Sequence, residues 1–139
     1  MDALRAKIIE TAFESLGERE TAGAGSNLKI LGWIRRWLPR ASDDSTTAWC
    51  AVWVSQVMTA CGLAVPALPF RAHSWIAWGS RTETPAVGDV AVITRDGGFH
   101  VGIVLRATDE LIWLLGGNQG NAVSVAQFGR KRVVQVRRA

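Results

Sequence analysis

An α+β domain, with helices first and an antiparallel sheet second, is the fold class that this 139-residue chain predicts. Three observations predict it. Apolar residues recur with a period near 3.6 as far as Cys61, and with a period of two after Pro85. Short connections rich in Gly and Asp separate the strand candidates, which favours an antiparallel meander with helices packed on it. About half of the residues are hydrophobic, enough for one domain over 1–139 to build a core without disulfides or metal.

The elements follow in order. Residues 2–16 alternate charged and apolar positions at helical spacing, and Gly17 ends them. Residues 18–27 form a loop with Gly23, Gly25 and Ser26. In 28–38, Leu28, Leu31, Ile34, Trp37 and Leu38 mark a second helix, stopped by Pro39. A polar stretch, 41–47, then offers an N-cap to the most apolar helix, 49–61, which Gly62 closes. Pro66 and Pro69 mark a loop, and 72–78 form one short helix before Gly79. Strands are expected over 87–94, 99–106, 111–115, 122–126 and 133–137, with turns at Asp96-Gly97-Gly98, 107–110, 117–120 and Gly129.

Composition excludes several classes. No apolar run approaches the roughly 20 residues of a membrane-spanning helix. The first helix lacks the apolar stretch and cleavage site of a secretory signal, so delivery outside the cytoplasm is expected to need another factor. The net charge of +4 is concentrated in Arg130, Lys131, Arg132, Arg137 and Arg138. Such a tail is expected to attract anionic envelope polymers, whereas no nucleic-acid module accompanies it. Cys50 and Cys61 would stand about 16 Å apart on one helix, too far for a disulfide. With His73 and His100 they match no zinc spacing, so neither metal nor cofactor is expected.

The chemistry points elsewhere. Cys50 opens an apolar helix, where unpaired N–H groups and the positive end of the dipole would stabilise a thiolate. Cys61 sits at the other end and reads as core. His100 would share a strand face with Gly102 and Val104, while Phe99, Val101, Ile103 and Leu105 face the core. Asn118 is the candidate third member, its amide oxygen fixing the imidazole's tautomer. A four-residue loop would put Asn118 on the face opposite His100, and a bulge, for which Gly116-Gly117 is a candidate site, would restore it. Gln119, Asp89 and Asn121 are rivals. Among the seven tryptophans, Trp33, Trp37 and Trp113 fit core positions. Trp49 is expected to be partly exposed and, with Gln119, to contact substrate.

Trp49-Cys50-Ala51 with Trp53, the run from Pro85 through Gly88-Asp89 to Val92, and Phe99-His100-Val101-Gly102 resemble CHAP and NlpC-type cell-wall peptidases. With Gly17 to Glu20, Ser26-Asn27, Ser74-Trp75, Trp78-Gly79 and Gly116-Gly117-Asn118-Gln119, the pattern resembles a phage-associated branch of that superfamily. Ala48 departs from it, since proline often precedes the Trp-Cys pair. The resemblance implies a papain-like α+β fold and hydrolysis of amide bonds in bacterial peptidoglycan. It further implies Cys50 as nucleophile, His100 as base and Asn118 as orienting residue. An endolysin held in the host cytoplasm until its release to the wall fits this reading. Two alternatives stand beside it: an interbacterial toxin with the same chemistry, and a non-catalytic wall-binding or virion module. A Cys50 thiol of low pKa would separate the enzymes from the last.

Overall fold

The computed structural model describes residues 2–21, 26–41 and 48–139. Three α-helices come first: α1 (Ala3–Phe13), α2 (Leu28–Trp37) and α3 (Cys50–Ala60). A 3-10 helix, Ala72–Ala77, leads into the strands β1 (Ser80–Thr82), β2 (Val90–Arg95), β3 (Gly98–Ala107), β4 (Leu111–Gly116), β5 (Ser124–Gly129) and β6 (Val133–Arg138). This is the expected α+β order. All strand pairs are antiparallel.

Local signals explain the helix starts. Asp2 caps α1 by accepting the Arg5 backbone N–H at 2.8 Å, and Asn27 caps α2 by accepting from Lys29 and Ile30. The expected N-cap of α3 in 42–47 lies outside the described residues, as do Gly23 and Gly25. Trp49 occupies the N-cap position of α3 and makes no side-chain capping bond. Gly62, with positive φ, ends α3 as expected, whereas α1 stops at Phe13, three residues before its expected end, and a turn carries the chain to Gly17.

The sheet order is β1-β6-β2-β3-β4-β5. Strands β2 to β5 form the expected meander. The last strand does not extend it: β6 returns and inserts between β2 and β1, a three-residue strand that alternation was too short to reveal. Its register against β2 shifts between Val92 and Ile93.

The core has two parts. Helix α3 is buried from Cys50 to Ser55 and packs with Val90, Val92, Val101, Ile103 and Leu115 from one face of the sheet. The alternate residues Ala91, Ile93, Val104, Ile112, Leu114 and Val136 form a second cluster on the other face. Apolar burial is thus two-sided in β2 to β4.

The tryptophans placed in the core from the sequence, Trp33, Trp37 and Trp113, are only partly covered, whereas Trp49, Trp53, Trp75 and Trp78 are buried. Each buried indole N–H has an acceptor: Glu20 Oε1 for Trp49 at 2.7 Å, Ser15 Oγ for Trp53 at 2.8 Å, and the carbonyls of Pro69 and Ala64 for Trp75 and Trp78. Trp49 is fully covered, so the expected partly exposed substrate contact is corrected to a core position.

The basic end is also structural. Arg138 forms a two-pronged pair with fully buried Asp89, both contacts 2.8 Å. Asp89 Oδ2 accepts the Ala86 backbone N–H as well. Arg137 donates to the carbonyls of Trp78 and Gly79, Arg130 to that of Thr108 and Arg132 to that of Thr94. These side chains staple turns and strand ends. Asp89 is therefore a structural carboxylate and not the third site residue.

Candidate active site

The site is assembled where the start of α3 meets β3. Cys50 is the first residue of α3, and the backbone N–H groups of Val101, Ala51 and Cys50 itself favour negative charge on its sulfur. Val101 follows His100 on β3, so the strand that carries the imidazole also touches the sulfur. Cys50 is 4% exposed, and burial pushes its thiol above the ordinary value despite these donors and the nearby Arg95. The low pKa expected from the helix terminus is thus corrected: desolvation of the thiolate outweighs the dipole, so the thiol pKa does not separate an enzyme from a non-catalytic module, and turnover must.

His100 is equally covered. Its Nε2 lies 2.9 Å from Gln119 Oε1. Desolvation holds the imidazole below its usual pKa; the Gln119 bond opposes this, and the charges of Arg95 and Arg132 reinforce it. Phe128 stands beside the ring, with 5.6 Å between centroids. At neutral pH the pair is therefore a thiol and a neutral imidazole.

The hydrogen bonds around Gln119 assign the tautomer. Its Nε2 donates to the carbonyls of Leu114 at 3.2 Å and Ser124 at 2.7 Å, which uses both amide hydrogens. Oε1 must then face His100, and only an N–H on the imidazole's Nε2 can bond to it. The neutral ring keeps its lone pair on Nδ1. Two further bonds hold the Gln119 loop: its N–H donates to the Ala122 carbonyl, and its carbonyl accepts the Ser124 hydroxyl. The segment after α1 ties down the same loop through Gly17, Glu20 and the Arg19–Ala122 bridge.

Two glycines make the arrangement fit. A Cβ on Gly116 would overlap the Gln119 amide, 2.7 Å from its Cδ. A Cβ on Gly117 would stand 2.6 Å from the Trp53 Cβ and 2.9 Å from the Trp49 Cζ3. The pair permits close approach and is not a bulge. The bulge lies in β3 instead, where the register against β4 shifts between Val104 and Arg106. It puts His100 and Gly116 on one face, with β4 ending before Asn118 can project from the sheet.

Of the residues singled out from sequence, the structure brings Cys50, His100 and Gln119 to one region. The bond expected of Asn118 is made by its neighbour, and Asn118, with φ 57°, stands on the rim of the adjoining cavity. Trp49 packs behind Gly117. Asn121, with φ 61°, serves the turn after Gln119, and His73 is exposed against Phe99 at 4.5 Å between centroids. A cavity of about 490 Å³ opens on His100 and Gln119 and is also lined by Ser124, Phe128, Arg95 and Arg132. The last four were not picked out as site residues. Arg132 had been counted in the basic tail, and nothing local marks Arg95. Among the described residues, no cluster of ligating side chains could hold a metal ion.

A cysteine at a helix start, a strand histidine and an amide fixing that histidine's tautomer, on helices followed by an antiparallel sheet, define a papain-like arrangement. The CHAP domain family matches residues 42–118, more than half of the chain, and the chain belongs to that family. CHAP domains are generally cysteine- and histidine-dependent amidases or peptidases that act on peptidoglycan. No curated protein matches the chain.

Proposed function

We propose that the protein is a cysteine amidase or endopeptidase that cuts bacterial peptidoglycan, working as a phage endolysin, with Cys50, His100 and Gln119 as its machinery. The observation that carries this reading is the His100–Gln119 bond, whose direction the Leu114 and Ser124 carbonyls dictate. It leaves Nδ1 as the basic nitrogen of a neutral imidazole on the strand that contacts Cys50.

Catalysis then begins from the neutral pair. His100 Nδ1 takes the thiol proton as Cys50 Sγ attacks the amide carbon, and the sulfur–carbon bond forms. Charge develops on the carbonyl oxygen near the N-terminus of α3, where the Cys50 N–H is one donor. The imidazolium gives its proton to the leaving amine, the carbon–nitrogen bond breaks, and a thioester remains. His100 next takes a proton from water, which attacks the thioester; the product acid leaves and the thiol regains its proton. Gln119 holds the ring in one tautomer throughout and positions rather than reacts.

The test is release of soluble muropeptides from purified peptidoglycan, read by mass spectrometry, which also names the bond cut. Cys50→Ala should abolish release while circular dichroism and melting stay close to the parent. Undiminished release by that variant would end the proposal.

A further inference from the structure

Arg95 and Arg132 are the two cations whose charges act on His100, and both line the cavity that opens on it. They also line a neighbouring hollow of about 500 Å³ with Thr94 and Asp96, so they form the wall shared by the two. Each is placed to receive a ligand. Arg132 is held by its Nε on the Thr94 carbonyl at 2.9 Å and lies over the Phe128 ring at 5.2 Å, leaving its outer N–H groups unassigned. The Arg95 guanidinium, at the exposed end of β2, makes no hydrogen bond or ion pair among the described residues. It differs in this from Arg130, Arg137 and Arg138, which are committed to carbonyls or to Asp89, and from Arg106, which lies over the Trp113 ring away from the cavity lining. Asp96 is the acid on the same rim, so the wall keeps a net positive charge. The cavity floor is apolar, from Phe128 and Ala126. An apolar floor below two guanidinium groups suits a short peptide with a carboxylate.

We propose that Arg95 and Arg132 form a carboxylate-binding subsite beside His100, which selects peptides bearing an acidic group close to the amide bond that is cut. The proposal rests on the hydrolase reading and deepens it: the substrate strand is an acidic peptide, and its charge supplies part of the binding. Arg132 is the fixed prong, through Thr94 and Phe128. Arg95 is the uncommitted prong, with its whole guanidinium left for the ligand.

The experiment compares native peptidoglycan with peptidoglycan whose carboxylates have been converted to amides, a treatment that leaves any phosphate in place. The parent should release muropeptides from native material with a KM several-fold lower than from amidated material. Arg95→Gln should raise KM for the native substrate about five-fold, the upper end for an exposed ion pair, and hardly alter the amidated one. Arg95→Lys should restore most of the loss. Because Arg95 holds no structural bond, this variant should melt with the parent, whereas Arg132→Gln should also loosen Phe128. Sedimentation of the Cys50→Ala protein with each substrate reads the subsite without turnover: preference for native material that Arg95→Gln abolishes supports it. Equal binding and equal KM on both substrates, or equal losses for Arg95→Gln on both, would overturn the subsite and leave the hydrolase standing. Absence of any cleavage by the parent would overturn the hydrolase reading instead, with sedimentation still deciding the subsite.

Discussion

The absence of a side chain at Gly116 should matter as much to activity as the amide of Gln119. In Gly116→Ala the new methyl would occupy the place of the Gln119 amide, 2.7 Å from its Cδ, in a strand whose backbone accepts alanine without strain. The amide must move, and with it go the 2.9 Å bond to His100 and the bonds to Leu114 and Ser124. Gln119→Ala removes the same bonds directly. At about 1 kcal/mol each, three hydrogen bonds put the stability cost of Gln119→Ala at about 3 kcal/mol. Loss of the fixed tautomer should lower kcat about 100-fold, the lower part of what positioned acid–base groups contribute. Gly116→Ala should lose about as much of each. In the double variant the methyl finds the space already vacated, so Gly116→Ala should cost almost nothing further. The cycle is read twice, by initial rates of muropeptide release well below the melting temperature and by urea unfolding. Additive penalties, or a Gly116→Ala variant with parental kcat, would refute the idea that Gly116 exists to seat the amide.

Three other outcomes follow from the structure. Activity should need neutral His100, so the acid limb of kcat/KM should lie below the ordinary histidine value of 6.5, and iodoacetamide alkylation of Cys50 should keep rising past the ordinary thiol value of 9.0. Stability should move with it: the lowered His100 pKa contributes stability that is present above 6.5 and lost as pH falls, and the raised Cys50 pKa contributes stability lost as pH climbs beyond 9.0. Urea unfolding across pH checks both limbs, and His100→Gln should flatten the acid one. Arg138→Gln should leave fully buried Asp89 without its partner and cost about 2 kcal/mol, low for a buried pair because Arg138 is one-third exposed; parental stability with a changed salt dependence of lysis would restore the view of a solvated tail. Trp49→Phe keeps most of the packing but frees the Glu20 carboxylate, and should cost about 1–2 kcal/mol with KM unchanged, a rise in KM at parental stability being the contrary result.

What was legible in the chain and what was not divide by the range of the interaction involved. The helices, the meander from β2 to β5, and the places of Cys50 and His100 follow from periodicity and from residues at element starts, which are local properties. Choosing between Asn118 and Gln119 required knowing that β4 ends at Gly116, so that the turn after it, and not the strand face, decides which amide reaches His100. The register shift lies instead in β3, between Val104 and Arg106, and no glycine marks it. The glycines that looked like its signal serve two contacts distant in sequence, Gly116 with a side chain folded back on it and Gly117 with α3. Tryptophan exposure depends on packing of the same range: amphipathic α2 leaves Trp33 and Trp37 partly covered, whereas Trp49, at the start of the buried helix α3, is fully covered. An arginine tail likewise reads as surface charge until its guanidinium groups are seen to close turns on Thr94, Thr108 and Trp78. Arg95 then acquires its meaning by contrast. Of the two arginines that line the cavity, Arg132 is tied to the Thr94 carbonyl, and the uncommitted guanidinium of Arg95 beside the candidate base is the group left for substrate.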